Sequence, residues 1–195
     1  MKARGTSMMR GVLLMAPVLV IAAVSGPANA RQFVDDEAGF TINVPYTYRA
    51  FTKNLPKGER FWEWESVVAG EAGRTAGNQR AIVRVDRTAE RDPLKLLRAY
   101  ESGGMKDRMP TFKVVTPAKV EARKGGAQVA VASYEGLRPL DGAAQYRFVF
   151  RVSVEIAKGR ALFKILEVRA AGVPDAAVLK RVAEVQAILD SVVVR

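Results

Sequence analysis

The stretch that decides the fold is Gln145–Arg169, with the sequence QYRFVFRVSVEIAKGRALFKILEVR. In its first half, Gln145–Ile156, apolar side chains alternate with polar ones, which predicts a strand with one buried face. Ala157-Lys158-Gly159-Arg160 then predicts a turn. Beyond the turn, Ala161–Arg169 carries apolar residues on both faces, as expected for a strand that is covered on both sides. The stretch therefore predicts a long hairpin whose second strand lies centrally in a sheet.

The segments before this hairpin supply further strands. An opening hairpin is predicted where Phe33-Val34 and Phe40–Val44 flank the acidic turn Asp35–Gly39, with Pro45 stopping the second strand. A mobile surface loop is expected over 69–78, which is rich in glycine and small polar residues. Alternating or apolar runs predict strands at Phe61–Glu65, Ala81–Thr88, Phe112–Arg123, Ala127–Glu135 and, at the end of the chain, Ser191–Val194.

Two helices complete the predicted fold. Asp92-Pro93 is a favourable helix start, and the helix is expected to end or break at Ser102-Gly103-Gly104. Pro174–Asp190 is amphipathic and predicts a C-terminal helix. The sequence thus predicts an α+β fold, with an antiparallel sheet of about seven strands and the two helices packed as an α/β sandwich.

The N-terminal segment has the three parts of a cleavable signal peptide. Three basic residues precede the apolar run Gly11–Val24, and the small residues of Ala28-Asn29-Ala30 follow it. We therefore expect cleavage between Ala30 and Arg31, export to the periplasm or the exterior, and a single domain over 31–195. The apolar run is shorter than the roughly 20 residues that a bilayer span needs.

The opening and the end of the predicted domain also resemble a known family. Gly39-Phe40-Thr41-Ile42-Asn43-Val44-Pro45, the hairpin Tyr146–Arg169, and Ile188-Leu189-Asp190-Ser191 before a short strand are similar to PsbP-like domains and to DcrB-like envelope proteins. The resemblance implies a small exported or membrane-associated accessory protein that binds partners and is not a catalyst. It carries no functional residue over, because PsbP-type metal sites use histidine and this chain has none.

Composition limits the chemistry available to the chain. It contains neither histidine nor cysteine, which excludes Ser-His and Cys-His nucleophiles and the common zinc ligands. We expect no cofactor and no metal, since a solvated turn explains the acidic cluster Asp35-Asp36-Glu37 better than a calcium site does. The formal charge of +11 is spread over predicted strands, among them the strand that carries Arg87, and over predicted helices, where solvated faces explain it. This pattern argues against nucleic-acid binding and leaves weak attraction to an anionic membrane surface or an acidic partner as the alternative.

Two pairs of side chains on one predicted strand are the candidate site residues. Trp62 and Trp64 share a face and are either packed under the first helix or, if exposed, anchors for a protein partner. Glu63 and Glu65 share the other face, about 7 Å apart, which is compatible with a carboxylate-dependent hydrolase. The preferred hypothesis is a non-enzymatic accessory protein that engages a protein partner or the envelope surface, and the hydrolase is the alternative.

The predicted leader is testable directly. N-terminal sequencing of the exported protein is expected to begin at Arg31, because the small residues before it fit the peptidase pocket. An intact Met1 on a membrane-bound form would contradict this expectation.

Overall fold

The computed structural model describes residues 29–54, 60–66, 79–123, 126–139, 145–170 and 176–195. The helices are α1 Pro93–Ser102, α2 Gly104–Arg108 and α3 Ala176–Asp190. The strands are β1 Ala30–Asp35, β2 Phe40–Pro45, β3 Tyr48–Asn54, β4 Arg60–Ser66, β5 Gln79–Arg87, β6 Thr111–Ala122, β7 Gln128–Pro139, β8 Gln145–Ala157, β9 Arg160–Ala170 and β10 Val193–Val194. The predicted loop over 69–78 and the start of the C-terminal helix at Pro174 lie outside the described residues.

The main sheet has seven antiparallel strands in the order β3-β4-β5-β9-β8-β7-β6. This arrangement confirms the predicted α+β fold, and it confirms that the long hairpin β8–β9 is central. Every side chain of β9 from Ala161 to Val168 is buried. Strand β9 is therefore the part of the sheet that both layers cover.

Each face of the sheet carries its own hydrophobic core. On one face, α1 and α2 cover β7 and β8 through Leu97, Met105 and Met109, all fully buried. On the other face, α3 packs on β9 and β5. The α1–α2 layer is thus centred on β7 and β8 and the α3 layer on β9 and β5, while β9 contributes side chains to both cores.

A second, three-stranded sheet in the order β1-β2-β10 joins the α3 side. Its inward residues Phe40, Ile42 and Val44 are at most 1% exposed and extend the core there. The opening hairpin and the terminal strand were predicted, but not that they form a separate sheet. Strand β3 was not predicted, because YRAFTKN lacks apolar alternation.

The mid-chain helix begins as predicted, since Asp92 Oδ1 accepts a hydrogen bond from the Leu94 N–H at 2.9 Å. At Gly103 the chain breaks and continues as α2, whose methionines reach the core. Within the described part of the chain, no helix combines the length and apolar character needed to cross a bilayer.

Gly136 of β7 lies against Met109, which follows α2, and against the backbone of Thr111 in β6. A Cβ atom there would lie 2.2 Å from Met109 Sδ and 2.4 Å from the backbone oxygen of Thr111. Because a backbone atom cannot swing aside, Gly136→Ala is expected to lower the free energy of unfolding by about 2–3 kcal/mol, measured by urea denaturation. The control Gly103→Ala places its Cβ 3.6 Å from the nearest atom and should cost less. Equal losses for the two variants would contradict this packing argument.

Candidate functional site

One end of the protein gathers basic side chains from four separate segments. They come from the last residue of β5, from the β8–β9 turn, from the first residue of β9 and from the residue that follows β10. The basic end, as we call it, consists of Arg87, Lys158, Arg160 and Arg195.

Backbone hydrogen bonds fix the segments of the basic end against one another. The Thr88 N–H donates to the Gly159 carbonyl at 3.1 Å, which ties the end of β5 to the β8–β9 turn. The Arg195 N–H donates to the Gly39 carbonyl at 2.8 Å, which ties the chain after β10 to the β1–β2 turn. The Arg160 guanidinium donates to the Ala38 carbonyl and so joins the two sheets. The cationic groups are therefore held on a rigid frame.

The β8–β9 turn has an uncommon residue at its first position. Lys158 and Gly159 have φ angles of 51° and 73°, as in the two-residue turns that fit hairpin twist. Glycine adopts this left-handed conformation freely, but for lysine it costs roughly 1 kcal/mol. Lys158, at the centre of the basic end, is therefore strained, and Asn or Asp in its place would fit the turn without this cost.

Two of the arginines face each other. Arg87 and Arg160 are directly opposite in the β5–β9 ladder, where like charges are destabilising. Arg160 is partly compensated by the Ala38 carbonyl. Neither Arg87 nor Lys158 forms an ion pair with another residue of the described ranges. An anion placed between these groups would remove the repulsion between them.

Two shallow depressions open at the basic end and share Lys158 and Arg160. The larger, about 460 Å³, lies toward Arg87 and Thr88. The smaller, about 260 Å³, lies toward Asp36 and Arg195. Of the described residues lining them, Asp36 is the one carboxylate, and it pairs with Arg195 at 3.2 Å. The site offers guanidinium and ammonium donors, which form strong hydrogen bonds with carboxylates and phosphates.

Comparison with solved structures shows which known fold this architecture resembles. No family model matches the chain, and no curated protein matches it in sequence. The solved structure of cyanobacterial PsbP (CyanoP) from Synechocystis sp. PCC 6803 is similar with a TM-score of 0.58 and 10% identity, covering 88% of this chain and 95% of that chain. The fold is PsbP-like. The Ran-binding protein Mog1p of Saccharomyces cerevisiae is similar with a TM-score of 0.54 and 12% identity, over 85% of this chain and 95% of its own.

The two tryptophans lie in the core of this PsbP-like fold. Trp62 and Trp64 are each 1% exposed, so the exposure that partner binding requires is not met. Trp62 packs edge-on against Phe40 with ring centroids 4.8 Å apart, and Trp64 packs similarly against Phe33 at 5.5 Å. The face is packed, as one alternative predicted, but α3 and the small sheet cover it, not the first helix.

The described residues do not place the paired glutamates Glu63 and Glu65 in a cleft. Glu63 is 9% exposed, and its carboxylate lies 3.1 Å from Arg80 Nε. The same guanidinium lies 3.5 Å from the fully buried Glu167. The side chain of Glu65 lies outside the described residues. Arg80 therefore holds Glu63 in an ion pair across the sheet, away from the described linings of both depressions.

A buried lysine lies on the opposite face of the PsbP-like sheet. Lys164 is 4% exposed, and its Nζ lies 3.3 Å from Glu155 Oε2. Burial lowers the pKa of Lys164, while Glu155 opposes that shift. Like Arg80 and its glutamates, this pair compensates charge within the fold.

The acidic turn has a structural role in the β1–β2 hairpin. Asp35 Oδ1 accepts a hydrogen bond from the Ala38 N–H at 2.7 Å, and Gly39 supplies the left-handed residue, with φ of 71°. Among the described residues, no group of three or more potential ligands is placed to hold a metal ion.

Sequence reasoning missed the basic end. It assigned Arg87 to a solvated strand face and treated Lys158-Gly159 as a turn only. The available signal was a lysine before glycine in a tight turn, where Asn or Asp is usual. Nothing in the local sequence shows that Arg195 joins the cluster, because that depends on how the two sheets pack.

The strained turn yields a test of stability. Lys158→Asn is expected to raise the free energy of unfolding by about 0.5–1 kcal/mol, because asparagine tolerates positive φ. Lys158→Ala removes the same charge but keeps the strain, so urea denaturation of both variants separates the two effects. Equal stability of the two variants would contradict a conformational origin.

Proposed function

We propose that the protein is an exported, non-enzymatic accessory protein that binds an acidic surface of a protein partner through its basic end. The observation that carries this proposal is the facing pair Arg87–Arg160 with Lys158 beside it. Two cations that face each other lower the stability of the fold, so we infer that they serve another purpose. Binding an anionic group is such a purpose.

The shape of the basic end favours a protein over a lipid surface. Its cations line two shallow depressions, and Arg160 and Arg195 are oriented by bonds to the Ala38 carbonyl and to Asp36. Oriented guanidinium groups suit carboxylates in fixed positions, whereas attraction to an anionic membrane depends mainly on the number of charges.

A binding role also fits the chemistry and the fold. The chain has no histidine or cysteine, and Arg80 holds the two buried carboxylates Glu63 and Glu167. Among the fold neighbours, Mog1p is a Ran-binding protein. Both observations support a protein that recognises a partner.

Export is the second half of the proposal. Ala30 is the first residue of β1 and pairs with Pro45. Cleavage after Ala30 would leave Arg31–Asp35 paired with Phe40–Val44, so the small sheet would keep its edge strand. The proposed mature chain therefore begins at the second residue of β1.

Crosslinking in cells that produce the full chain tests the binding proposal. The wild-type protein is expected to yield a crosslinked acidic protein. The double variant Arg87→Gln, Lys158→Gln should reduce that yield at least about tenfold, because each lost charge-assisted hydrogen bond is worth about 1.5–3 kcal/mol.

The matched control removes the same charge elsewhere. Arg98→Gln, Lys180→Gln changes two exposed helix residues and should keep the crosslink. Equal yields from the two double variants would contradict a role for the basic end. Binding to phosphatidylglycerol vesicles with no protein product would contradict a protein partner and indicate the envelope surface.

A further inference from the structure

A pair of exposed valines lies on the outer face of the small sheet. Val34 of β1 and Val193 of β10 are both directly opposite Thr41 of β2, one on each side. They are 40% and 59% exposed, while Thr41 between them is 6% exposed. Because neighbouring strands lie about 4.8 Å apart, the valines are about 10 Å apart across the sheet. We call them the valine pair.

The valine pair is exposed although the other face of the same strands is core. Phe40 and Ile42, on either side of Thr41, are at most 1% exposed on the inward face. A two-stranded turn or a frayed end would not explain this exposure, since all three strands are paired at this position. The apolar surface is therefore a feature of a well-ordered sheet.

Both strands that carry the valine pair continue into the basic end. Asp36 follows Val34 by two residues, and Arg195 follows Val193 by two residues. Alternation along an extended chain places Val193 and Arg195 on the same side, about 7 Å apart. Arg195 and Asp36 pair at 3.2 Å and line the smaller depression with Lys158. The valine pair itself lines neither depression, and it adjoins the ion pair and the cations through Asp36 and Arg195.

We propose that the partner segment is extended and carries an apolar residue two positions from an acidic residue, with its apolar side chain on the valine pair and its carboxylate at the basic end. This inference rests on the proposed function. The spacing follows from geometry, because side chains two residues apart in an extended segment lie on one side at the separation found between Val193 and Arg195. The acidic residue follows from charge complementarity with Lys158, which forms no ion pair with a described residue, and with Arg160 beside it.

Two labelled peptides of identical composition test the spacing. In the first, leucine and glutamate are separated by one serine, and in the second they are adjacent. Fluorescence anisotropy with the exported protein, purified from cells that make the full chain, is expected to show roughly tenfold tighter binding of the first peptide. Equal affinities would overturn the inference.

Valine variants locate the apolar contact. Val193→Ser and Val34→Ser are expected to bring the affinity for the first peptide down to that for the second, and to leave the second unchanged. The control Leu179→Ser alters another exposed apolar residue, on α3, and should have no effect on either. Circular dichroism and urea denaturation of each variant verify that the fold is retained, and a valine variant that folds and still binds the first peptide tightly would overturn the inference.

The two proposals fail in distinguishable ways. If Arg87→Gln, Lys158→Gln abolishes peptide binding while the valine variants and the spacing change nothing, the proposed function stands and the valine contact is wrong. If the basic-end double variant binds both peptides as the wild type does, the proposed function itself is contradicted.

Discussion

Burial of β9 on both faces, combined with pairing along both of its edges, is the constraint on which the rest of the structure depends. Its side chains alternate between two cores, with Phe163 and Ile165 under α1 and α2 and Leu162 and Leu166 under α3. Its polar residues Lys164 and Glu167 are tolerated because each has an oppositely charged partner. Arg160, the first residue of β9, joins the basic end directly to this doubly covered strand.

Local patterns account for what was predictable in the fold. The apolar alternation of β8, the two-sided apolar character of β9 and the Asp92 cap are short-range signals, and each produced an element close to its observed bounds. The separate small sheet was not predictable in this way. Its existence depends on β10 returning to pair with β2, a contact between residues at opposite ends of the domain.

The candidate site was harder to predict than the fold. The aromatic and carboxylate side chains of β4 were the predicted site residues. In the structure, Trp62 lies in the core and Glu63 forms an ion pair. The basic end is assembled from four short segments, and none of them taken alone predicts a binding site. The β5–β9 register places Arg87 opposite Arg160, and this pairing concentrates the positive charge on one surface.

The position of Ala30 bears on the order of events in the proposed export. In the folded sheet Ala30 is paired with Pro45, and the Asn29 carbonyl accepts a hydrogen bond from the Tyr46 N–H at 3.2 Å. A peptidase acts on extended, unpaired backbone, so closure of this edge strand before processing would hide the bond to be cut. Under the proposed export, removal of the leader and folding of the small sheet therefore compete in time.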